Sequence, residues 1–179
     1  MDPITRGCRR VALLTCVSNF RGGGPGHTAL ILDDSVYTFE ARSDFSGWHK
    51  FKTAAYLKEN AYRPVVIQEL SASRVNASAV MSYVVKSGAR DDNFGWDGVC
   101  SQQAANALSA GMNMVINPTW GMNTPYAVYN FIKQSGRVAD SYHTWPEHAG
   151  YNFHEKRLLH NLYHPECERR CDRPPVLSW

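Results

Sequence analysis

Cys100 stands at the predicted start of a helix, Cys100 to Ala110. There the positive end of the helix dipole and unpaired backbone N–H groups favour thiolate over thiol. Gly98 lets the backbone turn sharply just ahead of it. Amides near Cys100 and Ser101 are placed to donate to a developing oxyanion, an effect worth roughly 3–4 kcal/mol per donor. The opposing reading is a small buried residue that packs the helix onto a sheet. A thiolate nucleophile needs an imidazole, and His27 opens a strand directly after a glycine loop, where a side chain can reach a cleft. If Asp33-Asp34 is a two-residue turn, Leu32 pairs with Ser35, and counting back sets His27 opposite Glu40 on one sheet face. A carboxylate there would orient the ring. On that face Ala29 opposes Thr38 and Ile31 opposes Val36. A three-residue loop would instead put His27 opposite Ala41 and turn Glu40 away, so the Cys-His-Glu triad depends on register.

The elements that must position these groups are legible in part. An apolar run from Val11 to Ser18 predicts a buried first strand, followed by the glycine-rich loop Arg21 to Gly26. Gly26 to Leu32 and Ser35 to Ala41 are rich in strand formers around turn chemistry, a predicted hairpin. Pro64 to Leu70 predicts another strand, and Arg42 to Arg63 reads as loop with some helix. A helix capped by Ser73 or Asn76 runs through Lys86, with Val75, Ala79, Val80, Tyr83 and Val84 facing the core and Gly88 closing it. The Cys100 helix has alanines for close packing and is expected to stop at Gly111. Thr124 caps a further helix with Pro125 at its first position, Val128, Phe131 and Ile132 as its buried stripe, and Gly136 beyond its end. A last amphipathic helix is predicted over Tyr151 to Tyr163, before a polar tail. The fold class expected is α+β: an antiparallel sheet packed against the helix that carries Cys100. One domain over 1–179 is expected, with a helical carboxyl-terminal extension from about 144.

Gly26-His27-Thr28-Ala29-Leu30-Ile31, then Tyr37-Thr38-Phe39-Glu40-Ala41, then Val99-Cys100-Ser101 at a helix start resembles the circularly permuted branch of the NlpC-type papain-like superfamily. In that branch histidine and its polar partner precede cysteine. It includes bacterial cell-wall peptidases and amidases, YiiX-like proteins, lecithin:retinol acyltransferase-like enzymes and permuted peptidase effectors delivered by type VI secretion. The resemblance covers roughly 26–136 and implies a papain-like fold with Cys100 as nucleophile, His27 as base and Glu40 as orienting residue. It implies a cysteine peptidase or amidase that cleaves amide bonds in peptidoglycan stem peptides or crosslinks and needs no cofactor. An antibacterial effector, exported without a cleaved leader into the periplasm of a target cell and paired with an immunity protein or secretion carrier, is among the roles it implies. An acyltransferase or lipid hydrolase on the same triad is the first rival, and a noncatalytic binding module with a packed cysteine the second. Trp48, Trp96, Trp120 and Tyr126 are candidate groove walls, each also a candidate core residue.

Composition bounds these readings. The chain has 179 residues, 44% of them hydrophobic and 20% charged, which suits a globular core and argues against disorder. Nineteen Lys and Arg against sixteen Asp and Glu give a net charge of +3 without a basic cluster, so a nucleic-acid partner is not expected. No apolar stretch approaches the roughly 20 residues that span a bilayer. The basic residues Arg6, Arg9 and Arg10 before Val11 to Cys16 loosely imitate a lipoprotein signal, but the apolar run is too short. Cys8 with Cys16 and Cys167 with Cys171 can pair in an oxidising compartment or remain free thiols. His160, His164, Cys167 and Cys171 have ligand-like spacing, yet Pro165 interrupts any helix that would align them, so no metal is expected. The glycine loop lacks the Lys-Ser or Lys-Thr ending of a phosphate-binding loop. Asn76-Ala77-Ser78 matches a glycosylation acceptor inside a predicted helix, and His49, His143, His148 and His154 show no partner pattern.

Overall fold

A computed structural model of the chain describes residues 10–17, 26–41, 46–88, 100–117 and 123–144. The elements are β1 (Val11–Cys16), β2 (His27–Leu32), β3 (Ser35–Ala41), β4 (Ser46–Lys52), α1 (Thr53–Glu59), β5 (Val65–Leu70), α2 (Ala77–Gly88), α3 (Cys100–Met112), α4 (Pro125–Gln134) and β6 (Val138–Thr144). The strands form one six-stranded sheet in the order β4-β3-β2-β1-β5-β6, and every neighbouring pair is antiparallel. The expected α+β class with an antiparallel sheet is therefore present.

The hairpin follows the two-residue turn: Leu32 pairs with Ser35, and Asp33 takes a left-handed φ of 56° that aspartate tolerates better than most residues. Alternation then divides the sheet into two faces. On one, Val11, Leu13, Leu30, Leu32 and Leu70 meet Val80 and Val84 of α2, Ala104 and Leu108 of α3, and Val128 and Ile132 of α4 in the larger apolar core. On the other, Ala12, Leu14, Cys16, Ala29, Ile31, Val36 and Ile67 meet Tyr56 and Leu57 of α1 in a smaller one. At the far edge Arg10 pairs with Glu69 and donates to the Tyr142 hydroxyl at 2.8 Å, tying the start of β1 to β5 and β6.

Several expectations need correction. The segment 42–63, expected to be mainly loop, contributes β4 and α1, and 138–144, for which no element was expected, forms the edge strand β6. Gly111 does not stop its helix. It lies buried inside α3, where an added Cβ would stand 2.3 Å from Val80 Cγ2 and 2.9 Å from the Asn76 carbonyl oxygen. The residue that ends α3 is Asn113, at a left-handed φ of 51°. The caps expected elsewhere are present: Asn76 Oδ1 accepts the Ala79 amide at 3.1 Å, and Thr124 Oγ1 accepts the Ala127 amide at 3.2 Å with Pro125 in the first turn. Of the predicted α2 core face, Val75, Val80 and Val84 are buried, while Ala79 and Tyr83 are half-buried. Phe131 is half-buried beside Val128 and Ile132. The predicted helix at Tyr151 to Tyr163 lies outside the described residues. Among the described residues no helix is long and apolar enough to cross a membrane.

Candidate functional site

β2 begins at His27, which pairs with Cys16 of β1. Gly26 precedes it at a φ of 92°, with an added Cβ only 2.9 Å from the Cys16 carbonyl oxygen, so glycine both permits the turn into the strand and lets two backbones approach. β2 and β3 pair from Leu32↔Ser35 to Ala29↔Thr38, and the same register carried on sets His27 level with Glu40. The flanking ladders run further, to Cys16↔His27 on one side and Ala41↔Ser46 on the other. The amino terminus of α3 meets this end of the β2–β3 hairpin. Cys100 Sγ is hydrogen-bonded by the backbone amide of Thr28, the residue after His27, and by that of Ser101.

Burial dominates the electrostatics of the sulfur. Cys100 is 8% exposed, and its removal from water pushes the thiol up. The amides of Thr28 and Ser101 oppose that rise, Glu40 adds to it and Arg63 opposes it. The net direction is upward, which corrects the expectation of a thiolate favoured by the helix start: amide donors are present as expected, but desolvation outweighs them. Glu40 and Cys100 are thus within electrostatic reach of one another. Alternation nevertheless sets Cys16, His27, Thr38 and Glu40 on the α1 side of the sheet, whereas the body of α3 covers the opposite face.

The imidazole of His27 is half-buried, and its Nε2 is hydrogen-bonded to Thr38 Oγ1 at 2.5 Å. Behind Thr38 lies a buried polar chain. Cys16 Sγ donates to Asn60 Oδ1 at 3.8 Å, Arg63 Nε and Nη2 donate to the same oxygen at 3.0 and 2.6 Å, and Asn60 Nδ2 donates to the Tyr56 carbonyl at 3.0 Å. Burial pushes the Cys16 thiol up to about 11 and drives the Tyr56 phenol upward as well. Thr38, Cys16, Tyr56, Asn60 and Arg63 are absent from the sequence-derived site. Thr38 was within reach of that argument, since it shares the face of His27 and Glu40. Tyr56, Asn60 and Arg63 belong to the stretch read as loop with some helix, whose pattern singled out no site residue.

Ser101 is buried, with its hydroxyl donating to the Asn123 carbonyl. Asn123 Nδ2 donates in turn to Gln102 Oε1 at 2.9 Å, so the first turn of α3 is tied to the lead-in of α4. Trp48 packs on Phe39 edge to face and donates from Nε1 to Ser87 Oγ at 2.9 Å, joining β4 to α2. Tyr126 is half-buried beside Val17, Val66 and Tyr129, with its hydroxyl next to Gly26. Cys16, which could pair with Cys8 or stay free, carries a free thiol. Gly98, Trp96 and Trp120 lie outside the described residues, as do Cys8, Cys167, Cys171, His160 and His164.

These elements define a mixed α+β protein with a six-stranded antiparallel sheet and four helices among the described residues. No protein-family model, no curated protein and no solved structure matches the chain.

Proposed function

We propose that the chain is a cysteine hydrolase of papain-like type, with Cys100 as nucleophile, His27 as general base and acid, and Glu40 as a residue that orients the imidazole. The observation that carries this is the setting of the Cys100 sulfur: it begins α3 and accepts two backbone amides, one from the neighbour of His27, within electrostatic reach of Glu40. With the thiol pushed up by burial, Cys100 rests with its proton on sulfur. Imidazole takes the proton as sulfur attacks the carbonyl, a tetrahedral oxyanion forms near the amides at the start of α3, and His27 returns the proton to the departing amine. Water activated by the same ring then releases the acyl group from the thioester. The substrate proposed is an amide bond in peptidoglycan stem peptides or crosslinks. This rests on the resemblance to permuted NlpC-type enzymes and on the mild positive balance, +3 with a pI near 8.6, against an anionic wall. A role as a secreted antibacterial effector with a cognate immunity protein belongs to the same proposal.

A second reading, a binding module with a merely packed cysteine, draws on the 8% exposure and upward shift of Cys100. Digestion of purified peptidoglycan, followed by mass analysis of the fragments, separates the two. Wild type is expected to release fragments that Cys100→Ala does not, with His27→Ala equally silent and Glu40→Gln reduced but active. Identical fragment profiles for wild type and Cys100→Ala would remove the cell-wall substrate. Full activity in His27→Ala would defeat the mechanism.

A further inference from the structure

We infer that Thr15, Thr28 and Gln68 bind an internal water on the sheet face covered by α3 and α4. The inference is independent of the hydrolase reading. Thr15 and Thr28 are 0% exposed and Gln68 1%. Alternation from Leu13 and Leu30 puts both threonines on the face of the larger core, and Gln68, paired with Leu13, shares it. Among the described residues, Thr15 Oγ1, Thr28 Oγ1 and Gln68 Oε1 make no hydrogen bond. Register brings the two hydroxyls together. The Asp33 amide donates to the Arg10 carbonyl at 3.1 Å, so those two residues are a hydrogen-bonded pair, and counting along the ladder makes Thr15↔Thr28 a non-hydrogen-bonded one. In such a pair the side chains stand closest, with Cα atoms about 4.5 Å apart. Thr15 pairs with Val66 on its other side, so Gln68 is its diagonal neighbour, at about 7–8 Å and within reach of a long side chain. Gln68 Nε2 donates to the Tyr129 carbonyl at 3.4 Å, which fixes the amide and leaves Oε1 as a pure acceptor. The apolar side chains of Val17, Val66 and Tyr129 flank the three groups, and Ser101, the buried hydroxyl at the start of α3, is committed to the Asn123 carbonyl. A buried oxygen without a partner costs free energy, and here one water meets all three needs: it donates to Gln68 Oε1 and to one threonine and accepts from the other, about the 3 bonds usual for an internal water. None of the three groups carries a charge, which fits water and not an ion.

Oxygen-17 magnetic relaxation dispersion of water, recorded on the whole protein, detects internal waters by their long residence times and needs no substrate. Wild type is expected to show a dispersion amplitude that falls by one water in Thr15→Val, in Thr28→Val and in Gln68→Met, and that is kept in Thr15→Ser, which retains the hydroxyl. Urea midpoints supply a second readout. Each valine variant strands the groups left behind and is expected to lower the midpoint, while the double variant Thr15→Val/Thr28→Val is expected to lose less than the two single losses added together. An amplitude unchanged in Thr15→Val, Thr28→Val or Gln68→Met would overturn the inference, and so would a midpoint raised by either valine, the mark of a hydroxyl that nothing satisfies. A direct bond between the two threonines reproduces the coupling of midpoints but leaves the amplitude unmoved, so it too is an overturning result. A crystal structure of the wild type checks the site without any variant: an ordered water about 2.5–3.0 Å from both hydroxyl oxygens is expected, and protein partners on those oxygens in its place would refute the site.

Discussion

Two thiols, Cys16 and Cys100, sit at one end of the sheet, both buried and both pushed upward by loss of water. For Cys16 the ordinary value of 9.0 rises to about 11. Between those values the unfolded chain gives up the proton while the folded chain keeps it, so the folded state binds more protons and stability falls as pH rises. The loss attributable to Cys16 reaches about 3 kcal/mol across the window, at 1.36 kcal/mol per pKa unit. Cys100 and Tyr56 shift in the same direction and add to the slope at their own onsets. Urea midpoints measured against pH should decline above pH 9 in wild type and decline less steeply in Cys16→Ala. Equal slopes would mean that the Cys16 thiol is not held neutral by the fold. Below pH 9 no such loss from Cys16 is expected, because both states keep the proton.

Helix packing near the site turns on Gly111, whose intrinsic cost to helix α3 is roughly 1 kcal/mol relative to alanine. Propensity alone would make Gly111→Ala stabilising. The new Cβ, however, would meet the Asn76 carbonyl oxygen at 2.9 Å and Val80 Cγ2 at 2.3 Å. The first contact is backbone, and the second belongs to a β-branched side chain that is stiff in a helix. Overpacking of this kind costs about 1–3 kcal/mol, so Gly111→Ala is expected to lower the urea midpoint, with Val80→Ala in the same chain relieving part of the loss. A higher midpoint in the single variant would show that α2 gives way freely. A glycine shortly after an apolar helical stretch reads as a stop by local rules, and only the crossing of α2 over α3 shows that it is a contact. The turn at Asp33-Asp34 is the contrasting case: its two-residue length dictated the register from Leu32–Ser35 to Ala29–Thr38 because strand pairing propagates one residue at a time from a tight turn.

Across the molecule, the sheet separates a large core under α2, α3 and α4 from a smaller one under the seven-residue α1. Leu108 is fully buried in the first and Leu57 lies at the edge of the second. Leu108→Ala should therefore cost about 2–5 kcal/mol, and Leu57→Ala less, because a site near the surface collapses around a void more readily. Urea unfolding of the two variants checks the order, and a larger loss at Leu57 would reverse this account of the cores. The sequence by itself determined the α+β class, the central hairpin and its register, the caps of α2 and α4, and Cys100 as the first residue of a helix. These follow from turn chemistry, alternation and capping, which act over a few neighbouring residues. Tertiary structure alone decided that β4 and β6 complete the sheet, since Ser46–Lys52 and Val138–Thr144 lack strong apolar alternation and are strands because a neighbour offers them a ladder. It also decided the protonation balance at Cys100 and the convergence of Cys16 and Arg63 on Asn60. Desolvation, and contacts between residues as far apart in sequence as Cys16 and Asn60, are properties of what surrounds a group in space.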